Sequence, residues 1–349
     1  MKDPRPTKVT LEEVARAAGV SRSTASRALT SHPQVSPPAR RAVERAARRL
    51  GYVPNHAGRA LATGSSDAIA LVVFEPTTLL FSDPFIPRLV RGIGDLLTPR
   101  DKQLILLAPQ TSRDSDRVER FLAGGHVGGA LLLSLPDAHP LPGRLVSRIP
   151  IVIGGRPAEA DRFSHVDVDN VAGASRAVAH LVSGGRRSIA TVTGRRDVSA
   201  GQDRLRGYLD GLRAAGLPVD DALVEPGDFT SEGGTRAMRV LLSRRPRLDG
   251  VFVASDLMAV GVLHALAEAG RRVPEDVAVV GYDDDPVAAM LQPPLTSVRQ
   301  PIEEMGREMA RLLLDLIRTP ERPVRKVLLT TRLQVRASSA PVTSRITAA

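Results

Sequence analysis

VTLEEVARAAGVSRSTASRALT, residues 9–30, has the pattern of two short helices joined by a tight turn. Thr10 and Glu13 form a capping box that marks the start of the first helix. Gly19 suits the end of that helix, because a left-handed backbone costs glycine little. Ser21 can then cap a second helix that runs to about residue 30. Two short helices around a glycine turn make a helix-turn-helix unit.

The second helix of this unit is expected to have one apolar and one polar side. A third helix, predicted in SPPARRAVERAARRLGY, would support the pair. In a helix-turn-helix unit the second helix enters the major groove of DNA. Arginine can bind two guanine atoms there, and serine several bases, so we predict base contacts for Arg22, Ser23 and Arg27. Thr24 and Ser26 could bind phosphates. Spacing alone leaves open a small helical bundle whose charges are solvated.

Positive charge is concentrated in this first part of the chain. The 349 residues carry 48 Lys+Arg and 38 Asp+Glu, a net charge of +10. Residues 1–60 hold 12 Lys+Arg and 4 Asp+Glu, a net of +8, which leaves +2 for the remainder. A small basic module on a nearly neutral body indicates a polyanionic partner such as nucleic acid. A general preference for arginine is the alternative.

The sequence also argues against several other classes of protein. The chain has no cysteine, which excludes disulfides and thiolate metal sites. Its first residues, MKDPRPTKVTLEE, contain no apolar signal segment, and no run approaches the ~18 apolar residues of a membrane span. No H-E-x-x-H, Walker or G-x-S-x-G motif is present. We therefore expect a cytoplasmic protein that is not an enzyme, does not contact the membrane and needs no cofactor or metal.

From residue 68 onwards, apolar runs such as AIALVVF, GGALLLSL and IPIVIGG alternate with helical stretches. This alternation indicates doubly wound parallel sheets, and the strands are too many for one sheet, so two α/β lobes are expected. The helical stretches include 85–99, 171–183, 202–215, 231–243 and 256–269. Ligands of such sheets bind beyond the carboxyl ends of the strands, here Phe74-Glu75, Gly154-Gly155, Thr193-Gly194, Ser255-Asp256 and Tyr282-Asp283.

The first sixty residues resemble the DNA-binding domain of the lac repressor family of bacterial regulators. The matching stretches are TLEEVARAAGVSRSTASRAL and VSPPARRAVERAARRLGYVPN. The resemblance implies a helix-turn-helix domain over 1–54 and a hinge helix with linker over 55–66. In the family a hinge leucine wedges into the minor groove, and Gly58 departs from the usual alanine. The implied DNA-contacting residues are Thr10, Ser21, Arg22, Ser23, Thr24, Ser26, Arg27, Asn55 and, as the wedge, Leu61.

The body is similar to the effector-binding core of the same family, which resembles periplasmic sugar-binding proteins. The motifs are DPFI, DVDN, DRLRGYLDGL, GDFTSEGG, VFVASDLMAVGVLHALAEAG, VPEDVAVVGYDDD and PPLTSVRQPIEEMG. The family chain crosses between lobes three times. The resemblance therefore implies a core over 67–337, with lobe one at about 67–169 plus 300–327 and lobe two at about 170–298 plus 328–337. Residues 338–349 are expected to form a flexible tail.

The resemblance also implies a ligand site between the lobes. Arg204 matches an arginine that binds ligand oxygens, and Asp283 a carboxylate that accepts from sugar hydroxyls. Phe85 and Phe229 match rings that wall the ligand. Ser255 stands where asparagine is common. The implied effector-binding set is Asp83, Phe85, Arg204, Phe229, Ser255, Asp283 and Gln300.

Three structural alternatives to this site remain open. Arg204 could be a surface ion-pair residue, residues 283–285 a helix-capping loop, and Phe85 and Phe229 parts of the core. With the resemblance, we expect a homodimeric repressor of operator DNA that is controlled by a small molecule, most simply a sugar, and that is associated with the nucleoid when bound. A solute-binding protein of a sugar transporter is the alternative; the missing signal segment and the basic N-terminal module argue against it.

Overall fold

A computed structural model describes residues 9–29, 34–52 and 66–340. The chain divides into two units, Met1–Ser66 and Asp67–Ala349. Within the described ranges, no helix is long and apolar enough to cross a bilayer. The predicted DNA-contacting residues Asn55 and Leu61, and the hinge to which they belong, lie outside these ranges.

The described part of the first unit contains three helices: α1 (Leu11–Ala18), α2 (Arg22–Leu29) and α3 (Pro37–Leu50). The capping box of Thr10 and Glu13 forms, and α1 ends at Gly19 with φ 67°. Small residues dominate the core that the three helices share, which is why such short helices can pack closely. Its buried members are Val14, Ala15, Ala25, Ala28, Val35, Val43, Ala46 and Ala47.

Lobe one of the second unit is built on a six-stranded sheet in which every pairing is parallel. Its spatial order is β11-β5-β4-β3-β1-β2. Both faces are covered by apolar clusters, as buried parallel strands require. The strands are β1 (Ala68–Val73), β2 (Gln103–Leu107), β3 (Gly129–Leu133), β4 (Ile151–Gly154), β5 (His165–Val168) and β11 (Lys326–Leu329).

Lobe two is built on a second six-stranded sheet, with the order β12-β10-β9-β8-β6-β7. Its last strand, β12, is antiparallel to β10, whereas the other pairings are parallel. Two further apolar clusters cover this sheet. The strands are β6 (Ile189–Thr193), β7 (Val224–Pro226), β8 (Gly250–Val253), β9 (Ala278–Asp283), β10 (Thr296–Arg299) and β12 (Arg332–Gln334).

Helices of the second unit connect and flank these strands. They are α4 (Thr77–Ser82), α5 (Phe85–Leu97), α6 (Ser112–Ala123), α7 (Leu141–Leu145), α8 (Asn170–Ser183), α9 (Ser199–Ala214), α10 (Ser231–Arg244), α11 (Asp256–Glu268), α12 (Pro286–Met290) and α13 (Ile302–Arg318). Short 3₁₀ turns lie at Thr98–Arg100, Asp221–Leu223 and Ala337–Ser339. The helix-turn-helix domain and the two parallel-sheet lobes confirm the predicted fold class.

The chain passes between the two sheets three times: after β5, after β10 and after β11. The predicted lobe boundary, at about residues 327 and 328, falls two residues early, because β11 stays paired with β5 through Leu329. The last crossing therefore lies between Leu329 and Arg332. The three apolar residues of this short edge strand, Val327, Leu328 and Leu329, gave no sequence signal for where the strand ends.

The expectation that the tail becomes flexible at residue 338 is also wrong for its first residues. Ser338 and Ser339 are buried in lobe two. The Ser338 hydroxyl donates to the Val279 carbonyl at 2.6 Å and accepts from the Thr296 backbone N–H at 2.8 Å. Ser339 bonds the Thr296 hydroxyl and His180. In a sequence, polar side chains that form hydrogen bonds with buried backbone groups look the same as loop residues. The fixed position of Ser338 and Ser339 could therefore not be predicted.

Candidate functional site

A cavity of about 370 Å³ lies between the two lobes, at the carboxyl ends of strands from both sheets. This volume falls within the range of pockets for small organic ligands. All seven side chains predicted from the resemblance line it: Asp83, Phe85, Arg204, Phe229, Ser255, Asp283 and Gln300. The fold thus brings together residues that are up to 217 positions apart in the sequence.

Arg204 is the buried cation of the cavity, with a side chain only 6% exposed. It projects from α9. Its Nε donates to Asn170 Oδ1 at 2.9 Å, and its Nη1 donates to the Ala254 carbonyl at 2.5 Å. The guanidinium carbon lies 3.9 Å from the centroid of the Tyr282 ring, a cation–π contact that fixes its plane. Among the described residues no hydrogen bond uses Nη2, so this group can donate to a ligand.

Asp283 faces Arg204 from the end of β9. Its Oδ1 lies 3.5 Å from Arg204 Nη1 and accepts a hydrogen bond from the Gln300 side chain. Burial raises the pKa of Asp283 well above its usual range, and the positive charge of Arg204 opposes that shift. Whether or not it carries a proton, the Asp283 carboxyl group keeps an acceptor oxygen and so suits hydroxyl donors.

The two predicted rings, Phe85 and Phe229, line the cavity, and Phe229 lies on a strained turn. Phe229 adopts φ 67°, a conformation rare for a residue with a Cβ. A Cβ atom at residue 194 would collide with the Phe229 ring. Because Gly194 has no Cβ, the ring can lie against the end of β6. Phe85 begins α5, and its backbone N–H donates to Asp83 at 2.9 Å. Burial raises the pKa of Asp83 to about 6.

Ser255 occupies the cavity edge, but its hydroxyl already has a structural role. It caps α11 by accepting from the Met258 N–H at 3.2 Å. The hydroxyl proton can still be donated into the cavity. The structure also decides between the alternatives for the three aspartates, because Asp285 precedes α12 without making a side-chain capping bond. The loop at 283–285 is therefore not a capping loop, and Arg204 is not a surface residue.

Sequence reasoning missed several polar residues of the cavity. Asp167 and Asn170 lie in the DVDN motif at the end of β5, so their position at a strand end was a usable signal. Burial raises the pKa of Asp167 to about 6. Other polar residues come from irregular loops that carry no periodic pattern, namely Ser134, Asp137, His139, Arg156 and Glu159, while Ser199 begins α9 and Glu75 lies at a strand end that the sequence did indicate.

The lining of the cavity is strongly acidic. Six carboxylic side chains face it, against two arginines. The arginines are Arg156 and Arg204, and the acids are Glu75, Asp83, Asp137, Glu159, Asp167 and Asp283. An excess of acceptors over donors suits a neutral ligand rich in hydroxyl groups and repels an anionic one.

Three ion pairs join the lobes around this cavity. Arg156 of lobe one binds Asp203 of lobe two through two hydrogen bonds of 2.9 and 3.1 Å. Arg195 of lobe two pairs with Glu75 of lobe one at 2.8 Å. The third pair joins Arg88 to Asp285 at 3.0 Å. The described lobes are thus held together by charge-assisted contacts, which are stronger than neutral ones.

The predicted DNA-contacting face of the first unit is exposed. Arg22, Ser23, Ser26 and Arg27 lie on the outer side of α2, whereas Ala25 and Ala28 are buried. Ser21 accepts from the Thr24 N–H at 3.1 Å and so caps α2, as predicted. Arg22 pairs with Glu12 at 3.1 Å on the surface. The Thr10 hydroxyl and backbone N–H are both used in the capping box of α1.

Two family models match the chain, one for each unit. The model described as "Bacterial regulatory proteins, lacI family" matches residues 10–55. The model described as "Periplasmic binding protein-like domain" matches residues 178–339. The matches fall on the helix-turn-helix unit and on the second unit.

Two known regulators are similar to almost the whole chain. The HTH-type transcriptional regulator CelR of Thermobifida fusca is 50% identical over 334 residues, which cover 94% of this chain and 98% of that protein. The ribose operon repressor of Escherichia coli K12 is 34% identical over 338 residues, or 95% and 99% of the two chains.

Two solved structures extend this similarity. A complex of the transcriptional regulator CelR with cellobiose has a TM-score of 0.76 and 47% identity, and covers 95% of this chain and 99% of that one. A lac repressor dimer bound to operator and the anti-inducer ONPF has a TM-score of 0.84 and 25% identity, with coverage of 95% and 99%.

Proposed function

The chain belongs to the LacI family of bacterial regulatory proteins, and we propose that it is a homodimeric repressor whose binding to operator DNA is controlled by a neutral sugar held between its lobes. In this proposal it acts in the cytoplasm, is associated with the nucleoid when bound to DNA, and releases its ligand chemically unchanged. The observation that carries the proposal is the acidic cavity around Arg204 and Asp283.

The chemistry of the cavity supports a sugar as the effector. Asp283, Asp83 and Asp167 present acceptors for hydroxyl protons, while Arg204 Nη2 can donate to a hydroxyl or ring oxygen. Phe85 and Phe229 offer apolar surface to the C–H faces of a sugar ring. CelR, which shares 47% of its sequence with this chain in the structural alignment, was solved with cellobiose. We therefore propose cellobiose, or a similar neutral β-linked glucose disaccharide, as the effector.

The first unit supports the DNA side of the proposal. Arg22, Ser23 and Arg27 would contact base edges from α2, and Ser21, Thr24 and Ser26 would contact phosphates. Thr10, at the start of α1, and Asn55 and Leu61 of the hinge complete the proposed contacts. Two copies of α2 related by a twofold axis would read the two halves of an operator, as in the lac repressor dimer bound to its operator.

The acidic lining predicts a selectivity that a melting experiment can measure. Cellobiose at about 100 times its Kd should stabilise the native protein by about 2.7 kcal/mol and raise its Tm by several degrees. Cellobionate has the same two-ring skeleton with a carboxylate at the oxidised end. It should raise the Tm far less, because the six acidic side chains of the cavity repel it.

Glucose and maltose serve as matched neutral controls in the same experiment. They report whether ring number and linkage matter, without a change of charge. An equal stabilisation by cellobionate and cellobiose would contradict the electrostatic argument. A Tm that no neutral mono- or disaccharide changes would contradict the assignment of a sugar effector.

A further inference from the structure

The three consecutive aspartates 283–285 have three different partners. Asp283 lines the cavity and binds Gln300 and Arg204. The side chain of Asp285 points to Arg88 on lobe one. Asp284 does neither: it does not line the cavity, and its side chain is only 8% exposed. Burying a carboxylate is costly unless it is paired and hydrogen-bonded, so the partner of Asp284 has to be identified.

The backbone of this loop is held in an unfavourable conformation. Asp283 has φ 113° and Asp284 has φ 52°, both in the left-handed region that residues with a Cβ avoid. Such conformations persist only where the surrounding contacts enforce them, and they are common at ligand sites. Asp283 is held on one side by the pairing of β9 with β10, so a contact that fixes Asp284 on the other side constrains the turn that carries its carboxylate.

The contacts of Asp284 lead to Arg336. Arg336 Nη2 donates to Asp284 Oδ1 at 2.6 Å, and its Nη1 donates to the Leu295 carbonyl at 2.8 Å. The backbone N–H of Asp284 donates to the Ser297 hydroxyl at 3.0 Å. Another cation, Arg299, lies 3.9 Å from the second oxygen, but its side chain is 63% exposed. Arg336 is therefore the close, part-buried partner.

Arg336 is itself firmly held. Its backbone N–H donates to the Thr296 hydroxyl at 2.8 Å, and its carbonyl accepts from the same hydroxyl at 2.9 Å. The next residues, Ser338 and Ser339, are buried and also bonded to Thr296. The end of the described chain thus forms a fixed point beside the loop.

We propose that Arg336 is a positioning residue of the effector site: it holds Asp284 and thereby the turn that directs the Asp283 carboxylate into the cavity. The proposal rests on the proposed function of the cavity as a sugar site. It assigns the C-terminal segment a role in effector affinity, although none of the described residues of that segment lines the cavity.

A first experiment tests the positioning without any ligand. Hydrogen exchange of the full-length protein should show faster exchange of the Asp284 and Asp285 amides in Arg336→Ala than in the wild type, because the contact that fixes the turn is lost. Arg299→Ala and Arg332→Ala are the matched controls. The former removes the exposed cation near the same carboxylate, and the latter an exposed arginine of β12. Neither should change exchange in the loop.

A second experiment measures cellobiose affinity by calorimetry with the same proteins. Arg336→Ala should raise the Kd roughly tenfold or more, and Arg336→Lys should recover part of the loss because it keeps the charge. In an Asp283→Asn background, Arg336→Ala should have little further effect, since both act through one carboxylate. Operator binding without sugar should be unchanged. Asp284→Asn should reproduce the effect if Arg336→Ala does not fold.

The outcomes separate this proposal from the function on which it rests. Unchanged exchange in Arg336→Ala, or faster exchange with wild-type cellobiose affinity, would overturn the positioning role. An equal loss in Arg332→Ala would do the same, since it would show a general effect of strand β12. If wild-type protein fails to bind cellobiose, the choice of effector is wrong, while the exchange result still decides whether Arg336 fixes the loop.

Discussion

Replacing Arg204 with alanine is expected to abolish the response of operator binding at the cellobiose concentrations that release the wild-type protein. The variant removes the one buried cation that faces Asp283, together with the free Nη2 donor. A hydrogen bond to a charged group contributes about 1.5–3 kcal/mol, so we expect cellobiose affinity to fall by roughly 100-fold. Repressor–operator affinity without sugar should stay close to that of the wild type. Calorimetry and fluorescence anisotropy measure the two quantities.

Two control variants make this result interpretable. Arg206→Ala removes a neighbouring arginine on α9 whose side chain is 58% exposed, and it should leave cellobiose binding unchanged. Arg204→Lys keeps a positive charge beside Asp283 but loses the planar fork, so we expect an intermediate Kd. Because loss of Arg204 leaves Asp283 buried without a cation, some loss of stability is also expected. A wild-type cellobiose response in Arg204→Ala would contradict the assignment of the cavity.

Replacing Arg22 with alanine is expected to weaken operator binding about 10- to 100-fold, since a bidentate contact with guanine contributes roughly 1–3 kcal/mol of discrimination. Arg22 is 71% exposed and lies at the start of α2, where side chains of a helix-turn-helix unit meet base edges. Its surface pair with Glu12 is worth little and can be exchanged for DNA. Anisotropy with operator and with a scrambled duplex of equal length measures the effect.

The comparison of the two duplexes decides which contact Arg22 makes. Arg22→Lys keeps the charge, so it should retain most of the non-specific affinity while losing preference for the operator. Cellobiose affinity should be unchanged in both variants. If Arg22→Ala weakens binding to both duplexes by the same factor, Arg22 contacts a phosphate and another residue reads the bases.

Local signals in the sequence were sufficient for most of the fold. The capping box at Thr10 and the glycine after α1 predicted the first helix, and both are present. The helix predicted at 202–215 begins three residues earlier, at Ser199. Its N-cap residue, Val198, makes no side-chain capping bond, so the sequence carried no signal for that boundary. Helix ends without a capping side chain are hard to predict for this reason.

The candidate site could be predicted only where residues follow regular elements. Asp283 is the last residue of the buried strand β9, Ser255 follows the buried strand β8 after one residue, and the family resemblance supplied Arg204 within α9. Arg156 and Asp137 lie in loops whose course depends on contacts with lobe two, such as the pair of Arg156 with Asp203. No local pattern encodes such contacts. Arg336 was missed because it acts through Asp284 and not through the cavity itself.

The two lobes suggest how sugar and DNA binding are coupled. The ion pairs Arg156–Asp203, Arg195–Glu75 and Arg88–Asp285 fix the lobes relative to each other. A ligand between the lobes contacts both of them, so it favours the lobe arrangement in which its contacts are most complete. If that arrangement binds the operator less well, the two affinities must change by the same factor.

The central claim is that one neutral sugar controls operator binding, and an anisotropy titration tests it directly. Full-length protein bound to labelled operator at fixed salt would be titrated with cellobiose, and with cellobionate in parallel. We expect cellobiose to release the operator and cellobionate to have little effect at the same concentrations. Operator affinity that stays constant at cellobiose concentrations that saturate the protein would contradict the claim, since such a sugar would bind without controlling DNA binding.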